Sequence, residues 1–402
     1  MSTHSEAMHA PAGLDHCPFM PTYGAPSVRI VRGEGCNLWD EEGKKYLDFL
    51  AGIAVVGLGH AHPEVADAIA EQARTLVHVS NLYGTVPGTD VAIAIDRLLG
   101  GGGQVFFTNS GAEAIECAIK LTRKWGGPGR FGIVSANGSF HGRTLGALHA
   151  TGQPAKWEGF QPLPEGFRHV AWNDLSALER AIDPTIAAVL LESVQGEGGV
   201  HPASADYFEG VRRLCDEHGL LMIVDEIQTG LGRTGEWFGF QHFGVEPDVV
   251  TLAKALGNGM PIGACWAKRD VASAFQPGDH GTTYGGQPLA ASAARATLAI
   301  LERLNAPQLA ERAGATFRHL LENVDGVVEV RGLGLLLAAQ LADGLDAKAV
   351  AGDLLSKGLI VNAVSPTALR FAPPLIVSDS EIELAVDLLS EVLTEHLSGV
   401  AA

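Results

Sequence analysis

The stretch Leu220–Gly259 reads LLMIVDEIQTGLGRTGEWFGFQHFGVEPDVVTLAKALGNG, and it brings two charged residues to the ends of two apolar runs. Leu220–Val224 is continuously apolar, the pattern of a strand covered on both faces of a parallel sheet, and it ends on Asp225. Asp248–Ala253 reads similarly and ends on Lys254, with Gly257 and Gly259 close behind. Ligands of open α/β sheets bind outside the carboxyl ends of the strands. Asp225 and Lys254 are therefore expected to face one crevice.

A solvated Asp and Lys, or a simple ion pair, would account for the same residues. The chemical alternative is pyridoxal phosphate, which needs an amine to condense with its aldehyde and a carboxylate to keep its pyridine nitrogen protonated. A second motif competes with both. Gly230, Gly232 and Gly235 match G-x-G-x-x-G, with Asp248 downstream, and so suggest a nicotinamide-dependent dehydrogenase. That fingerprint opens a helix directly after its strand, whereas DEIQT intervenes here and EWFGFQHFG has no helical period.

With 402 residues, 46% of them hydrophobic, the chain can bury a large core in two or three lobes. Its net charge of −18 disfavours nucleic acid and anionic membrane surfaces as partners. The five cysteines, Cys17, Cys36, Cys117, Cys215 and Cys265, include no C-x-x-C pair, which suits reduced thiols and a cytoplasmic setting. The first residues lack the basic-then-apolar pattern of a signal peptide, and no apolar run has the length of a membrane span.

Residues 1–26 read as a polar arm or lid. Short strands follow at Val28–Arg32, Asn37–Asp40 and Lys45–Phe49. His60 and His62 form an H-x-H without a third donor at ligand spacing, and so read as loop residues before the helix at Pro63. A helical stripe covers Pro63–Val77, then SNLYGTVPG reads as a loop. Gln104–Thr108 is a strand that leads through Ser110-Gly111-Ala112 into a helix. Such a turn presents free N–H groups and suits a phosphate, although an ordinary N-cap at Ser110 would look the same. Strand and helix then alternate: Phe131–Ser135, a helix capped at Ser176, Ala187–Leu191, and a helix Asp206–His218 stopped by Gly219. Alternation predicts an α/β fold with a mostly parallel sheet and helices on both faces. Beyond Pro288 come two helices, strands at Val327–Val330, Leu335–Gln340 and Leu359–Asn362, and further helices. The expected division is residues 1–60 as arm and small-domain strands, 61–288 as the large domain, and 289–402 as the rest of a smaller α+β domain.

Taken together, SGAEA (Ser110–Ala114), FHGRTLGAL (Phe140–Leu148), ESVQGEGG (Glu192–Gly199), DEIQTGLGRTG, TLAKALGNGMPIGA, TTYGGQPLA (Thr282–Ala290) and LRFAPPL (Leu369–Leu375) resemble the class III aminotransferases of the fold-type I pyridoxal phosphate family. Within that family, RGEGCNLWDEEGKKYLDFLAGIAVVGLGHAHP and FQPLPEGFRHV are most similar to the branch acting on acetylornithine in arginine biosynthesis. The resemblance implies that Lys254 bonds the cofactor, Asp225 pairs with its ring nitrogen, Gln228 with its ring hydroxyl, and Phe140 covers its face. It further implies that Ser110, Gly111 and Ala112 hold the phosphate, joined by Thr283 of a second subunit in a homodimer with shared active sites.

The implied substrates are N2-acetylornithine, which reacts through its terminal amine, and 2-oxoglutarate, which returns as glutamate. By the resemblance Arg143 binds the carboxylate far from the reacting amine, and Thr282 also contacts substrate. Arg370 grips the α-carboxylate of glutamate with the bidentate geometry that arginine offers. While the acylornithine is bound Arg370 meets no carboxylate, and Glu197 is expected to pair with it then and to swing away in the other half-reaction. From the residues alone, without the resemblance, a surface or structural ion pair is the preferred reading of both arginines. Other donors implied by the same family are succinylornithine, N-succinyl-diaminopimelate, ornithine and 4-aminobutyrate. Ile115 and Gln287 stand where many members of the family carry Asn.

Overall fold

The computed structural model describes residue 20, residues 22–23 and residues 26–400, so the arm expected over 1–26 lies almost wholly outside the described residues. In chain order the first strands are β1 (Ile30–Glu34), β2 (Asn37–Asp40), β3 (Lys45–Asp48), β4 (Gly103–Thr108), β5 (Gly132–Ala136), β6 (Phe167–Val170), β7 (Ile186–Glu192), β8 (Val194–Gln195) and β9 (His201–Pro202). They are followed by β10 (Leu221–Asp225), β11 (Val249–Leu252), β12 (Gly263–Lys268), β13 (Val327–Leu333), β14 (Leu336–Leu341), β15 (Leu359–Ile360), β16 (Asn362–Ser365) and β17 (Ala368–Phe371).

The central sheet has seven strands in the order β4-β12-β11-β10-β7-β5-β6. Every residue of β7, β10 and β11 is buried, which is why their sequences run apolar without alternation. Each fully buried Val, Leu or Ile there contributes roughly 1.5–3 kcal/mol by leaving water. All strands run parallel except β12, which is antiparallel to both β11 and β4. This strand was not expected from GACWAK, a run of small residues with weak strand character. Its glycine is needed where β12 meets β4, because a Cβ on Gly263 would lie 2.4 Å from Thr108 Oγ1.

Beside the two-stranded β8-β9 sheet there are two four-stranded sheets. One has the order β1-β2-β3-β15, so the first strands of the chain pair with one from near its end, and the other is the antiparallel sheet β13-β14-β17-β16. The helices Gly111–Gly126 and Ala205–His218 start on Ser110 and Ser204 caps, and the second stops at Gly219 in the left-handed region. Two local expectations need correction. The helix Leu175–Ala181 is capped by Asp174, whose side chain accepts from Ala177 N, and not by Ser176. The last residues of SNLYGTVPG are helical, because Thr85 caps a helix Val86–Leu98 that tolerates Pro87 and Gly88 in its first turn.

The glycine triplet after β10 opens no helix. It packs instead: a Cβ on Gly232 (φ 92°) would lie 3.0 Å from Ala306 Cβ and 3.2 Å from Pro307 N, at the start of the helix Ala306–Leu321. Arg233 in the same turn is fully buried and donates from Nη1 to the carbonyls of Leu335 (3.1 Å) and Pro373 (2.5 Å). The turn thereby ties the central sheet to the β13-β14-β17-β16 sheet.

One half-buried histidine is expected to weaken the fold in acid. His169 on β6 packs against Trp157 (ring centroids 5.0 Å apart), and burial lowers its pKa to about 4. A histidine depressed in this way contributes stability above the unfolded pKa near 6.5, and that stability is lost as pH falls towards 4. His169→Phe is therefore expected to flatten the decline of the melting temperature between about pH 6.5 and pH 4, and an unchanged slope would remove His169 from the acid response.

Candidate active site

A cavity of about 260 Å³ opens at the carboxyl ends of the parallel strands. β10 delivers Asp225, β7 delivers Glu192, and the turn after β11 delivers Lys254. β5 leads to Phe140 and His141, and β4 leads to Gly111 and Ala112 at the start of a helix. Arg143, Glu197 and Gln228 complete the wall among the residues expected there.

Lys254 has a left-handed backbone (φ 43°), a conformation that L residues rarely adopt outside constrained turns. The turn is pinned from outside by Asn258, whose side chain accepts from Leu58 N (2.8 Å) and donates to Gly59 O (3.1 Å). Burial pulls the Lys254 ammonium down to about 8, with Glu197 opposing, Arg370 adding to the fall, and Asp225 and Glu192 opposing it. An amine so placed loses its proton far more readily than a surface lysine.

Asp225 is only 4% exposed. Its Oδ2 lies 2.8 Å from His141 Nδ1, while Oδ1 accepts from Ile227 N (3.0 Å) and Thr251 Oγ1 (3.4 Å). His141, behind Asp225, was missed by sequence reasoning because the partners are 84 residues apart. The only signal was its place beside Phe140 in FHGRT. Glu192 was missed for the same reason. It lies opposite Asp225 in register, accepts from Phe140 N (3.2 Å) and Gly196 N (3.4 Å), and is driven well above the usual carboxylate range by burial and by Asp225.

Glu197 and Arg370 form an ion pair at 2.5 Å, with the arginine side chain 1% and the glutamate 28% exposed. Burial alone would raise the Glu197 pKa, but the charge and hydrogen bond of Arg370 hold it below the ordinary value. Arg370 also donates from Nε to Asn362 Oδ1 (3.1 Å) and from Nη1 to Gly196 O (3.2 Å) and Gln228 Oε1 (3.3 Å). Its Nη2 is buried without a partner. Arg143 is exposed, has no ion-pair partner among the described residues, and has its guanidinium 5.5 Å from the Phe140 ring centroid.

Other expected residues sit differently. The Ser110 hydroxyl accepts from Glu113 N as the helix cap and does not line the cavity. Thr282 Oγ1 accepts from Gly285 N (3.1 Å) and Asn109 Nδ2 (3.3 Å), and Thr283 is exposed; neither lines the cavity of this chain. Ile115 is buried core, and Gln287 caps the helix Pro288–Arg303 by accepting from Leu289 N (2.7 Å).

The donor set suits pyridoxal phosphate. A buried amine and a buried carboxylate share one cavity, a helix N-terminus supplies free N–H groups, and a Cβ on Gly111 would lie 2.8 Å from Ile227 Cδ1, so glycine keeps that corner passable.

Comparison with known proteins agrees with this chemistry. The family model described as aminotransferase class-III matches residues 20–393. The chain is 48% identical to an acetylornithine aminotransferase of Caldanaerobacter subterraneus subsp. tengcongensis, over 94% of this chain and 97% of that protein. It is also 48% identical to an acetylornithine aminotransferase of Methanocaldococcus jannaschii, over 93% and 95%. Among solved structures, an ornithine aminotransferase from Toxoplasma gondii, with partial occupancy of pyridoxal phosphate at its active site, superposes with a TM-score of 0.91 at 34% identity, covering 95% of this chain and 93% of that one. A thermostable (S)-enantioselective ω-transaminase from Thermomicrobium roseum superposes with a TM-score of 0.89 at 33% identity, over 96% and 97%. With a buried lysine and a buried aspartate meeting at the carboxyl edge of a mostly parallel sheet, and a family match spanning nearly its whole length, the chain belongs to the pyridoxal phosphate-dependent class III aminotransferases.

Proposed function

We propose that the chain transfers the terminal amino group of N2-acetyl-L-ornithine to 2-oxoglutarate, giving N-acetyl-L-glutamate 5-semialdehyde and L-glutamate. The observation that carries this reading is that Glu197, in the cavity wall, pairs with the buried Arg370 behind it, while Arg143 lines the same cavity unpaired among the described residues. It leaves one arginine ready for a distant carboxylate and masks the other, as a donor reacting through its terminal amine requires. The names of the similar aminotransferases point the same way.

Pyridoxal phosphate, when bound, supplies the electron sink for the carbon that carries the reacting amine. Lys254 would hold the cofactor, and its amine would move the proton at that carbon, a task suited to a pKa of about 8. Asp225 would keep the ring nitrogen protonated, with His141 fixing the orientation of Asp225; Gln228 and Phe140, which line the same cavity, would hold the ring. Backbone N–H groups of Gly111 and Ala112 hold the phosphate. Arg143 takes the α-carboxylate of acetylornithine or the side-chain carboxylate of glutamate. Arg370 takes the α-carboxylate of glutamate through Nη2 and the position Glu197 vacates.

The same reading makes the enzyme a homodimer in which Thr283 of a second copy completes the phosphate site and Thr282 borders the substrate. Tyr284, next to Thr283, is exposed, as are Leu82 and Tyr83, which follow Asn81, whose Nδ2 bridges to Thr282 O and Gly285 O at 3.2 Å; these exposed apolar side chains support a covered surface there. It also assigns residues 61–288 to the large domain and the flanking segments to the small one.

A donor panel with purified protein and 2-oxoglutarate tests the assignment. The highest kcat/KM is expected with N2-acetylornithine, and a tenfold preference for succinylornithine, N-succinyl-diaminopimelate, ornithine or 4-aminobutyrate would replace it.

The masking ion pair has its own test. Glu197→Ala leaves Arg370 free to seize an α-carboxylate at all times, so glutamate should react faster and the ω-amine half-reaction should weaken. Loss of one buried charge-assisted contact is worth on the order of 2–5 kcal/mol, so the ratio of the two half-reactions should move at least tenfold. Single-turnover measurements with each donor separate the halves. Equal slowing of both would make Glu197 a structural acid.

A further inference from the structure

Arg143 stands on a loop, residues 140–144, that runs from β5 into a short helix, Leu145–Ala150. At its near end Phe140 N donates to Glu192 Oε2 (3.2 Å) and His141 N to Thr151 Oγ1 (2.9 Å). At its far end Thr144 occupies the N-cap position of the short helix, yet its hydroxyl accepts no bond from the first turn. Glu116, on the helix Gly111–Gly126, takes over that task. Its Oε1 accepts from Thr144 Oγ1 (2.6 Å), Gly146 N (2.9 Å) and Ala147 N (3.2 Å). The last two are the orphan donors of a first turn that a cap side chain ordinarily meets.

The packing around these bonds is close. A Cβ on Gly146 would lie 2.6 Å from Glu116 Oε2, and a Cβ on Gly142 would lie 2.8 Å from Ala112 Cβ. Ala112 and Glu116 are four residues apart and so share one face of their helix. That face carries the loop: Ala112 meets it before Arg143, and Glu116 holds it directly after. The Arg143 side chain is exposed and has no ion-pair partner among the described residues, and its guanidinium lies 5.5 Å from the Phe140 ring centroid. Its backbone therefore decides where its charge sits.

We infer that Glu116 is a positioning residue for substrate recognition, fixing the backbone beside Arg143 so that the guanidinium meets a carboxylate far from the reacting amine. This rests on the role of Arg143 under the proposed function, and adds the residue through which selectivity for that carboxylate is set. Glu116 touches no substrate itself. Its influence is confined to donors that offer Arg143 a carboxylate, because other donors gain nothing from the place of that side chain.

The test measures steady-state kinetics of the holoenzyme with N2-acetylornithine, glutamate and N-acetyl-1,4-diaminobutane, the last being acetylornithine without its carboxylate. Misplacing a binding group by an ångström costs up to about 10²-fold. Glu116→Ala is thus expected to lower kcat/KM roughly 10–10²-fold for the two carboxylate-bearing donors, through KM with kcat nearly kept, and by less than about threefold for N-acetyl-1,4-diaminobutane. Glu116→Gln keeps an accepting oxygen and should stay within about threefold of the parent on all three donors. In an Arg143→Ala background, Glu116→Ala should cost less than about threefold further, because it acts through that side chain. Bound-cofactor absorbance and melting temperature show that each variant is folded. No loss in Glu116→Ala, equal losses on all three donors, a Gln variant as weak as the Ala variant, or full additivity with Arg143→Ala would each overturn the inference. An Arg143→Ala enzyme with unaltered kcat/KM for both carboxylate-bearing donors would instead remove the reading of Arg143, and this inference with it.

Discussion

Lys254→Ala is expected to lower kcat for any donor by about 10⁶, the scale on which removal of a nucleophile that acts as a unit with its surroundings is felt. Under the proposed mechanism two tasks disappear together, because the same amine would bond the cofactor and move the proton. Added alkylamines should recover part of the rate by entering the space the side chain leaves, whereas a merely structural lysine would not be replaced in this way. In the unaltered enzyme, borohydride should fix the cofactor on Lys254 and on no other residue, as read by peptide mapping. A variant that keeps even a hundredth of the turnover would show that another group moves the proton.

Asp225→Asn should leave the fold and cofactor binding in place and reduce turnover by roughly 10²–10⁴, the range for a single positioned proton-holding group. The hydrogen bonds around the carboxylate explain why shape survives. The amide oxygen can still accept from Ile227 N and Thr251 Oγ1, where Oδ1 does now. The amide NH₂ then faces His141 Nδ1, so the imidazole must carry its proton on Nε2, next to Ser135 Oγ at 3.3 Å. Geometry is kept while the negative charge is lost. The bound cofactor should titrate at lower pH than in the parent enzyme, and turnover and spectrum left unchanged would take Asp225 out of the mechanism.

The central sheet was legible because β7, β10 and β11 are covered on both faces, so their composition alone marks them. β12 was not, since GACWAK owes its place to the strands on either side of it. Its antiparallel direction depends on partners that no local pattern names. The site divides along the same line. Asp225 and Lys254 end apolar runs and could be read directly. His141 and Glu192 act through residues distant in sequence, and nothing near them announces it. Glu197 and Arg370 were drawn together by a resemblance, and their separation of 173 residues shows why spacing could not have paired them.

The antiparallel β12 also bears on how the chain folds. β11 and β12 are neighbours in both sequence and sheet, so the lysine-bearing turn between them closes a short loop. The elements that bring Gly111, Phe140 and Glu192 to the cavity return to the sheet from much farther along the chain. Short loops lose less chain entropy on closing, and local contacts form fastest. The lysine's turn is therefore expected among the early structures of the folding reaction, and the placing of the helix start at Gly111 against the sheet among the late ones. The turn that carries the amine is thus expected to form before the cavity around it closes.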